Sequence, residues 1–323
     1  MNYIVFDLEW NQSPGGKKYS NSRLPFEIIE IGAVKMNEKR EPVDVFQRLI
    51  KPQVYNWIHD SIHEVIHVDY KDLADGLPFS EAVREFLDWC GDDFAFFTWG
   101  NQDVMELQRN MKYYDLLFLL PGPVKYYDVQ KVFGMCCKEA GGRRSLEFAI
   151  DQLDIPKEQT FHRALTDARY TAMVLKWVDE KTLFTNYSMD VYQNPKKKKD
   201  ELFLSYPDHD QYVSREFTDR DKIMRDREVT STKCPICHLP AKRKIRWFMN
   251  NSKAYESISL CQKHGYVKGK IRIRHTEEDR YYVIKTLKNV GNEKAEEIRE
   301  KRDSLRTVSY THLRAHETRH DLV

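Results

Sequence analysis

The 323-residue chain carries 52 Lys+Arg and 50 Asp+Glu, a formal net charge of +2, with 41% apolar and 12% aromatic residues. This composition excludes a disordered or fibrous chain, and no apolar run approaches the roughly 18 residues of a membrane span. The small net charge hides an asymmetry: residues 1–185 hold 22 basic and 29 acidic residues, residues 186–323 hold 30 and 21, and within 233–275 there are 11 basic residues and one acid, Glu256. An acidic body with a basic appendage fits a polyanionic substrate. Six cysteines, three scattered (Cys90, Cys136, Cys137) and three at metal-like spacing, fit a reducing, cytoplasmic setting better than a disulfide framework. The N-terminus enters a strand directly, without the basic region and cleavage site of a secretory signal.

The first strand, Tyr3 to Trp10, contains Asp7 and Glu9. Side chains alternate along a strand, so both carboxylates share one face. Two acids side by side at the end of a buried strand repel each other and are costly to desolvate, and a hard divalent cation such as Mg²⁺ or Mn²⁺ relieves both penalties. The alternative is a strand that ends at the surface with two solvated acids. A loop over 11–25 leads to a second strand, Phe26 to Lys35, and a third, Val43 to Ile50, which read as an antiparallel meander. Residues 60–75 read as loop and helix. A helix is expected from Pro78 to Cys90, a buried strand from Asp93 to Trp99, and a helix from about Gln102 to Tyr114. Residues 124–133 carry a short strand or helix. Helices follow from Ser145 to Leu153 and from Ala164 to Lys181. Strands first, then strand and helix in alternation, predict an α/β fold with a mixed sheet covered by helices.

Asp103 falls in the first turn of the helix that follows a buried strand, where α/β sheets place their sites. An acid there also simply complements the helix dipole. His162 and Asp167 lie five positions apart at a loop-to-helix junction. Asp167 is expected one turn into the helix, with His162 folded back over the same site. Capping and surface roles are open to both.

Taken together, these motifs resemble the DEDDh branch of the DnaQ-like 3′–5′ exonucleases. Phe6-Asp7-Leu8-Glu9 matches the first motif, the segment around Asp103 the second, and His162 with Asp167 the third. The strand Glu27 to Ala33 and the region Trp57 to Trp89 are also similar to the family. The resemblance covers about residues 1–182. Within the family, the Thr98-Trp99-Gly100 approach to the second motif resembles the RNA-trimming enhanced-RNAi and KapD-type enzymes. One departure is Trp10, which stands where members often carry Thr or Ser.

The resemblance implies an RNase H-like mixed five-stranded sheet flanked by helices. It implies hydrolysis of phosphodiester bonds from the 3′ end of single-stranded nucleic acid, RNA favoured over DNA, with two Mg²⁺ or Mn²⁺ ions held by Asp7, Glu9, Asp103 and Asp167. Such a pair of ions activates water and stabilises the leaving oxygen. His162 would be the general base, since imidazole titrates nearest neutrality. Trp10, Trp99 and Phe161 are candidates for stacking on the 3′-terminal base, although core packing is the commoner role of such aromatics. A catalytically silent nucleic-acid-binding adaptor and a DNA proofreading or repair exonuclease are the alternative functions.

Residues 186–232, with Lys196 to Lys199 and mixed charge from Asp208 to Thr232, read as a charged linker with a solvated helix at 215–228. Residues 233–275 read as a zinc-ribbon-like basic module. Cys234 and Cys237, then Cys261 and His264, have the spacing of a structural Zn²⁺ site, with His238 a geometrically poorer fourth ligand and reduced thiols the alternative. Lys242, Arg243, Lys244, Arg246, Lys268, Lys270, Arg272 and Arg274, interleaved with Trp247, Phe248 and Tyr255, suit a single strand of nucleic acid. A protein-docking module is the other reading. Residues 276–307 read as a helical extension around a break at Gly291. Residues 308–323 resemble a translated sequencing adapter and are set aside from fold and function.

Overall fold

In a computed structural model the chain forms two compact units, Met1–Gln193 and Asn194–Val323. The structure describes residues 1–56, 70–137, 142–157 and 161–317, with side chains up to residue 305. Residues 57–69 of the family-like stretch and 318–323 of the tail lie outside the described residues.

The first unit is built on a six-stranded mixed sheet, ordered β3-β2-β1-β4-β5-β6. Its strands are β1 (Asn2–Gln12), β2 (Phe26–Met36), β3 (Pro42–Leu49), β4 (Phe94–Thr98), β5 (Val124–Asp128) and β6 (Ser188–Asp190). β1 to β3 form the antiparallel meander, while β4 joins β1 in parallel, and β5 joins β4 in the same way. The expected five strands become six because the three-residue β6 pairs antiparallel with β5, within a stretch read as linker. Too short to show a period, it is held by pairing and by Asp190, which accepts from Gln108 Nε2 at 2.7 Å.

Alternation along β1 builds a core on each face. Ile4, Phe6 and Leu8 pack with Phe86 of the Phe79–Cys90 helix and with Phe96 of β4. Each such fully buried side chain contributes about 1.5–3 kcal/mol. Tyr3 and Val5 point to the other face, against the Ala164–Trp177 helix and Phe133. Asp7 and Glu9 continue this second row, so the period that builds the core also delivers the acids to the end of the helix-covered face. The expected helix from Ala164 to Lys181 ends at Trp177. Val178 turns extended, and Asp179 caps a new helix, Glu180–Thr185, by accepting from Thr182 N at 2.8 Å.

The second unit is also organised by a sheet, ordered β7-β8-β12-β11-β10-β9. These strands are β7 (Leu202–Ser205), β8 (Asp210–Val213), β9 (Lys242–Met249), β10 (Tyr255–Cys261), β11 (Gly265–His275) and β12 (Tyr281–Val290). Two expectations are corrected here. Residues 186–232 are not a linker: β7 and β8 join the sheet, and β8 pairs with β12. In place of one solvated helix at 215–228 there are two four-residue helices, Arg220–Ile223 and Arg227–Thr230, whose Ile223 and Val229 are fully buried. These two anchors were hidden by the charge around them. Residues 276–307 are not wholly helical either, since Tyr281–Val290 is a strand and the helix begins at Asn292. Val283, Lys285 and Leu287 are the buried positions of β12, a period of two masked by the lysine among them. Lys285 is held inside by donating to the carbonyls of Glu228 and Ser231 at 2.5 and 3.0 Å. The helix from Asn292 runs to Glu317, into the segment set aside. Among the described residues no helix is long and apolar enough to cross a membrane.

Candidate active site

Asp7 and Glu9 leave β1 on one face, and the register pairs Asp7 with Gly32 and Glu9 with Glu30 of β2. A register shift immediately after Glu9 makes a β-bulge, a device that re-aims side chains at strand ends. Gly32 lets the start of the Ala164–Trp177 helix lie directly on the sheet: a β-carbon there would come within 2.0 Å of Leu165 N and 2.2 Å of the Ala164 carbonyl carbon. That approach carries Asp167, in the first helical turn, to the two strand acids. One carboxylate oxygen from each of Asp7, Glu9 and Asp167 lies within 4.8 Å of the others. Asp103 comes from the first turn of the Gln102–Tyr113 helix, and its Oδ1 accepts from Leu8 N at 3.3 Å, which ties the helix to β1 between the two strand acids.

The cluster is electrostatically expensive. Burial pushes the Asp7 carboxyl far above its ordinary range, and Asp103, Glu9, Asp167 and Glu30 push it further. Burial likewise raises Glu9 to about 8, with Asp167, Glu30 and Asp103 adding to the effect and Arg163 opposing it. Asp103 rises to about 7 by burial, against the backbone N–H groups of Asp103 itself and Leu8. Asp167 rises to about 6 by burial, against the backbone N–H and the ring of His162. Such acids do not all ionise together near neutrality without a cation between them. Asp167 Oδ2 accepts from His162 N at 3.1 Å, while its Oδ1 is buried and has no hydrogen-bond partner among the described residues. An all-oxygen donor set with an orphaned carboxylate oxygen fits a hard divalent cation.

His162 is exposed and sits in the left-handed region at φ 66°, so the chain reverses into the helix directly beside Asp167. The next residue holds a contact that the sequence did not reveal. Arg163 donates from Nε and Nη2 to the two carboxylate oxygens of Glu30 at 3.1 and 3.2 Å. Glu30 is 1% exposed and also accepts from Gln47 Nε2 at 2.6 Å. The signal available was an acid in the middle of an apolar strand. Its partner lies 133 positions away.

The three stacking candidates are half-buried, each packed on another ring. Trp10 lies 6.0 Å from Phe26, Trp99 lies 5.9 Å from Phe133, and Phe161 stacks on Tyr170 at 4.8 Å. Trp99 Nε1 also donates to Arg144 O at 3.2 Å.

In the second unit, Cys234, Cys237, Cys261 and His264 converge, with their ligand atoms within 4.8 Å of one another. Cys237 and Cys261 sulfurs are 3.7 Å apart, and His264 Nδ1 lies 3.5 Å from Cys234 Sγ and 3.8 Å from Cys261 Sγ. Tetrahedral Zn²⁺ with Zn–S near 2.3 Å and Zn–N near 2.0 Å requires edges of about 3.5–3.8 Å. The donor set and spacing therefore fit zinc. His238 does not join the cluster, because its Nδ1 faces Asp210 Oδ2 at 3.5 Å. Asn289 of β12 supports the group, donating from Nδ2 to His264 O at 3.2 Å and lying 3.9 Å from Cys234 Sγ.

Comparison with known proteins adds the family. Residues 4–175 match the RNase_T model, described as exonuclease. No curated protein matches the chain. Among solved structures, the nuclease domain of 3′hExo, a DEDDh family member bound to rAMP, is 17% identical, with 55% of this chain and 90% of that one covered at a TM-score of 0.46. Cell-death related nuclease 4 (CRN-4) is 16% identical over 60% of this chain and 71% of that one, at a TM-score of 0.46. A zinc-bound complex of E. coli exonuclease I with single-stranded DNA is 14% identical over 57% and 42%, at a TM-score of 0.46. With Asp7, Glu9 and Asp167 gathered, and Asp103 tied to Leu8, all within the matched stretch, the chain belongs to the RNase_T exonuclease family.

Proposed function

We propose that the chain hydrolyses single-stranded nucleic acid from the 3′ end, RNA in preference to DNA, with two Mg²⁺ or Mn²⁺ ions at Asp7, Glu9, Asp103 and Asp167. The observation that carries this reading is the convergence of the Asp7, Glu9 and Asp167 carboxylates within 4.8 Å, beside an Asp103 tied to Leu8. When bound, the ions supply charge neutralisation at the phosphate and activation of the attacking water. The chain's own part is to present the four carboxylates to the ions and to take the proton of the attacking water. His162, exposed beside Asp167, accepts that proton on its imidazole and passes it to solvent. Arg163 holds Glu30 in a two-pronged ion pair next to Glu9 and so fixes the strand pair on which the acids sit. The preference for RNA rests on the resemblance of Thr98-Trp99-Gly100 to the RNA-trimming branch. Zn²⁺ at Cys234, Cys237, Cys261 and His264 has a structural role, bracing the second unit.

Digestion of matched 3′-labelled and 5′-labelled single strands, RNA and DNA in parallel, tests the reading. Progressive shortening from the 3′ end, dependent on added Mg²⁺ or Mn²⁺ and faster on RNA, is expected. Binding of both strands without cleavage would instead favour an adaptor role.

A further inference from the structure

The second unit carries a row of cations that the carboxylate site does not use. Lys268, Lys270, Arg272 and Arg274 occupy alternate positions of β11, while Val267, Gly269, Ile271 and Ile273 fill the positions between them. Val267 and Ile271 are fully buried, so the four basic residues project together from the other face. Lys301, from the helix that begins at Asn292, joins them. Glu256 is the acid among them: it contacts Lys268 at 3.3 Å and Lys301 at 2.9 Å. Lys270, Arg272 and Arg274 make no ion pair among the described residues. Burial lowers Lys270 from its ordinary value, and the like charges of Arg272, Lys268 and Lys301 lower it further, against Glu256. A row of like charges at regular spacing is complementary to a polyanion.

Its pitch identifies which polyanion. Alternate residues of a strand are about 6.6 Å apart. Two peptide residues span six backbone bonds, the same number that separates successive phosphorus atoms in a nucleic acid chain. An extended single strand therefore repeats its charge at nearly the pitch of this row.

The module's aromatics are engaged in packing. Trp247 and Tyr255 pack with Ile271 on the opposite face, and Phe248 packs with Ala295 and Ile298 of the helix. On the row's own face, Phe248 and Tyr266 are taken up by the helix around Ala295 and Ile298, and Tyr282 stands opposite Arg274 at one end. Contact is thus to backbone charge and not to base identity.

We propose that the β11 row binds the phosphodiester backbone of a single-stranded nucleic acid, one phosphate to each of Lys268, Lys270, Arg272 and Arg274. The choice of polyanion rests on the nuclease reading above, but binding here does not require catalysis.

The test is anisotropy of labelled oligo-uridine and oligo-thymidine on the full chain, across a KCl series, in an Asp167→Asn background so that the strands survive. Combining Lys270→Ala, Arg272→Ala and Arg274→Ala is expected to weaken binding at least tenfold at low salt. The slope of log affinity against log salt should shrink by about 2, at ~0.7 per lost phosphate contact. The pair Arg272→Ala/Arg274→Ala, both on exposed side chains, should shrink it by about 1.4. Lys197→Ala/Lys198→Ala/Lys199→Ala removes the same charge from the exposed lysine run and should leave the slope nearly unchanged. An unchanged slope in the β11 variants, or equal loss in both triples, overturns the proposal.

Hydrolysis of a dinucleotide, whose single phosphodiester cannot span the four cations of the row, separates the two readings. With Asp167 intact, the β11 triple should cleave it at the rate of the unsubstituted chain. If no variant cleaves anything while the slopes still differ, the nuclease reading fails and the row stands. If cleavage is present and the slopes agree, the row alone fails.

Discussion

Gly32 lies flat against the backbone of Leu165: a β-carbon at position 32 would stand 2.0 Å from the Leu165 nitrogen. Backbone cannot yield as a flexible side chain can, so Gly32→Ala must lift the start of the Ala164–Trp177 helix. Overpacking of this kind costs about 1–3 kcal/mol. Because Asp167 rides on that first turn, a displacement near 1 Å should also cost about 10²-fold in hydrolysis. Denaturant unfolding and end-labelled digestion of Gly32→Ala measure the two losses. Full activity in a destabilised variant would show that the close approach serves packing alone.

Arg163 and Glu30 form the second positioning contact. Removing the guanidinium strands a buried carboxylate beside Glu9, and Arg163→Met should destabilise the chain by about 2–4 kcal/mol. Adding Glu30→Met removes the stranded charge, so the double variant should recover stability without recovering full activity. A double-mutant cycle by chemical denaturation checks the sign of the coupling.

Without added divalent ions the site should make stability fall with rising pH. Glu9 near 8, Asp103 near 7 and Asp167 near 6 all stand above their ordinary values, so the folded chain holds these protons more tightly than the unfolded one. The stabilisation is therefore complete near pH 4 and is lost progressively up to about pH 8. Cations favour the ionised acids, and Mg²⁺ should flatten this dependence. Melting temperatures at pH 5.5 and 8.5, with and without Mg²⁺, test the prediction: the drop should appear only without the ion.

The Cys₃His cluster predicts about one tightly held Zn²⁺ per chain. Metal analysis after dialysis should find it, distinct from exchangeable Mg²⁺. Cys234→Ser should lose it together with the thermal transition of the second unit. Zinc-free protein that melts unchanged would leave the cluster as reduced thiols.

Much of this architecture is visible in the sequence because the first unit follows simple periods. The β1 alternation that buries Phe6 also aligns Asp7 with Glu9, and the Phe79–Cys90 helix shows its Phe79, Val83 and Phe86 stripe plainly. The second unit hides its strands. Lys285 occupies a core position of β12, and Tyr281, Ile284 and Leu287 mimic a helical repeat, so Tyr281–Val290 reads as helix. β7 and β8 have four residues each, too few for a period to register. Arg163 and Gly32 act through partners over 130 positions away, a relation that composition and spacing do not encode.

A cation site at the gathered carboxylates requires that they hold an exchangeable divalent ion in the intact chain. Titration of Mn²⁺ into the full chain by electron paramagnetic resonance, compared with Asp7→Asn, addresses it most directly. Exchangeable Mn²⁺ binding is expected, weakened in the variant by at least the ~10²-fold that loss of a supporting outer-shell group can cost, while the fold persists. Identical Mn²⁺ binding by the two proteins would contradict it.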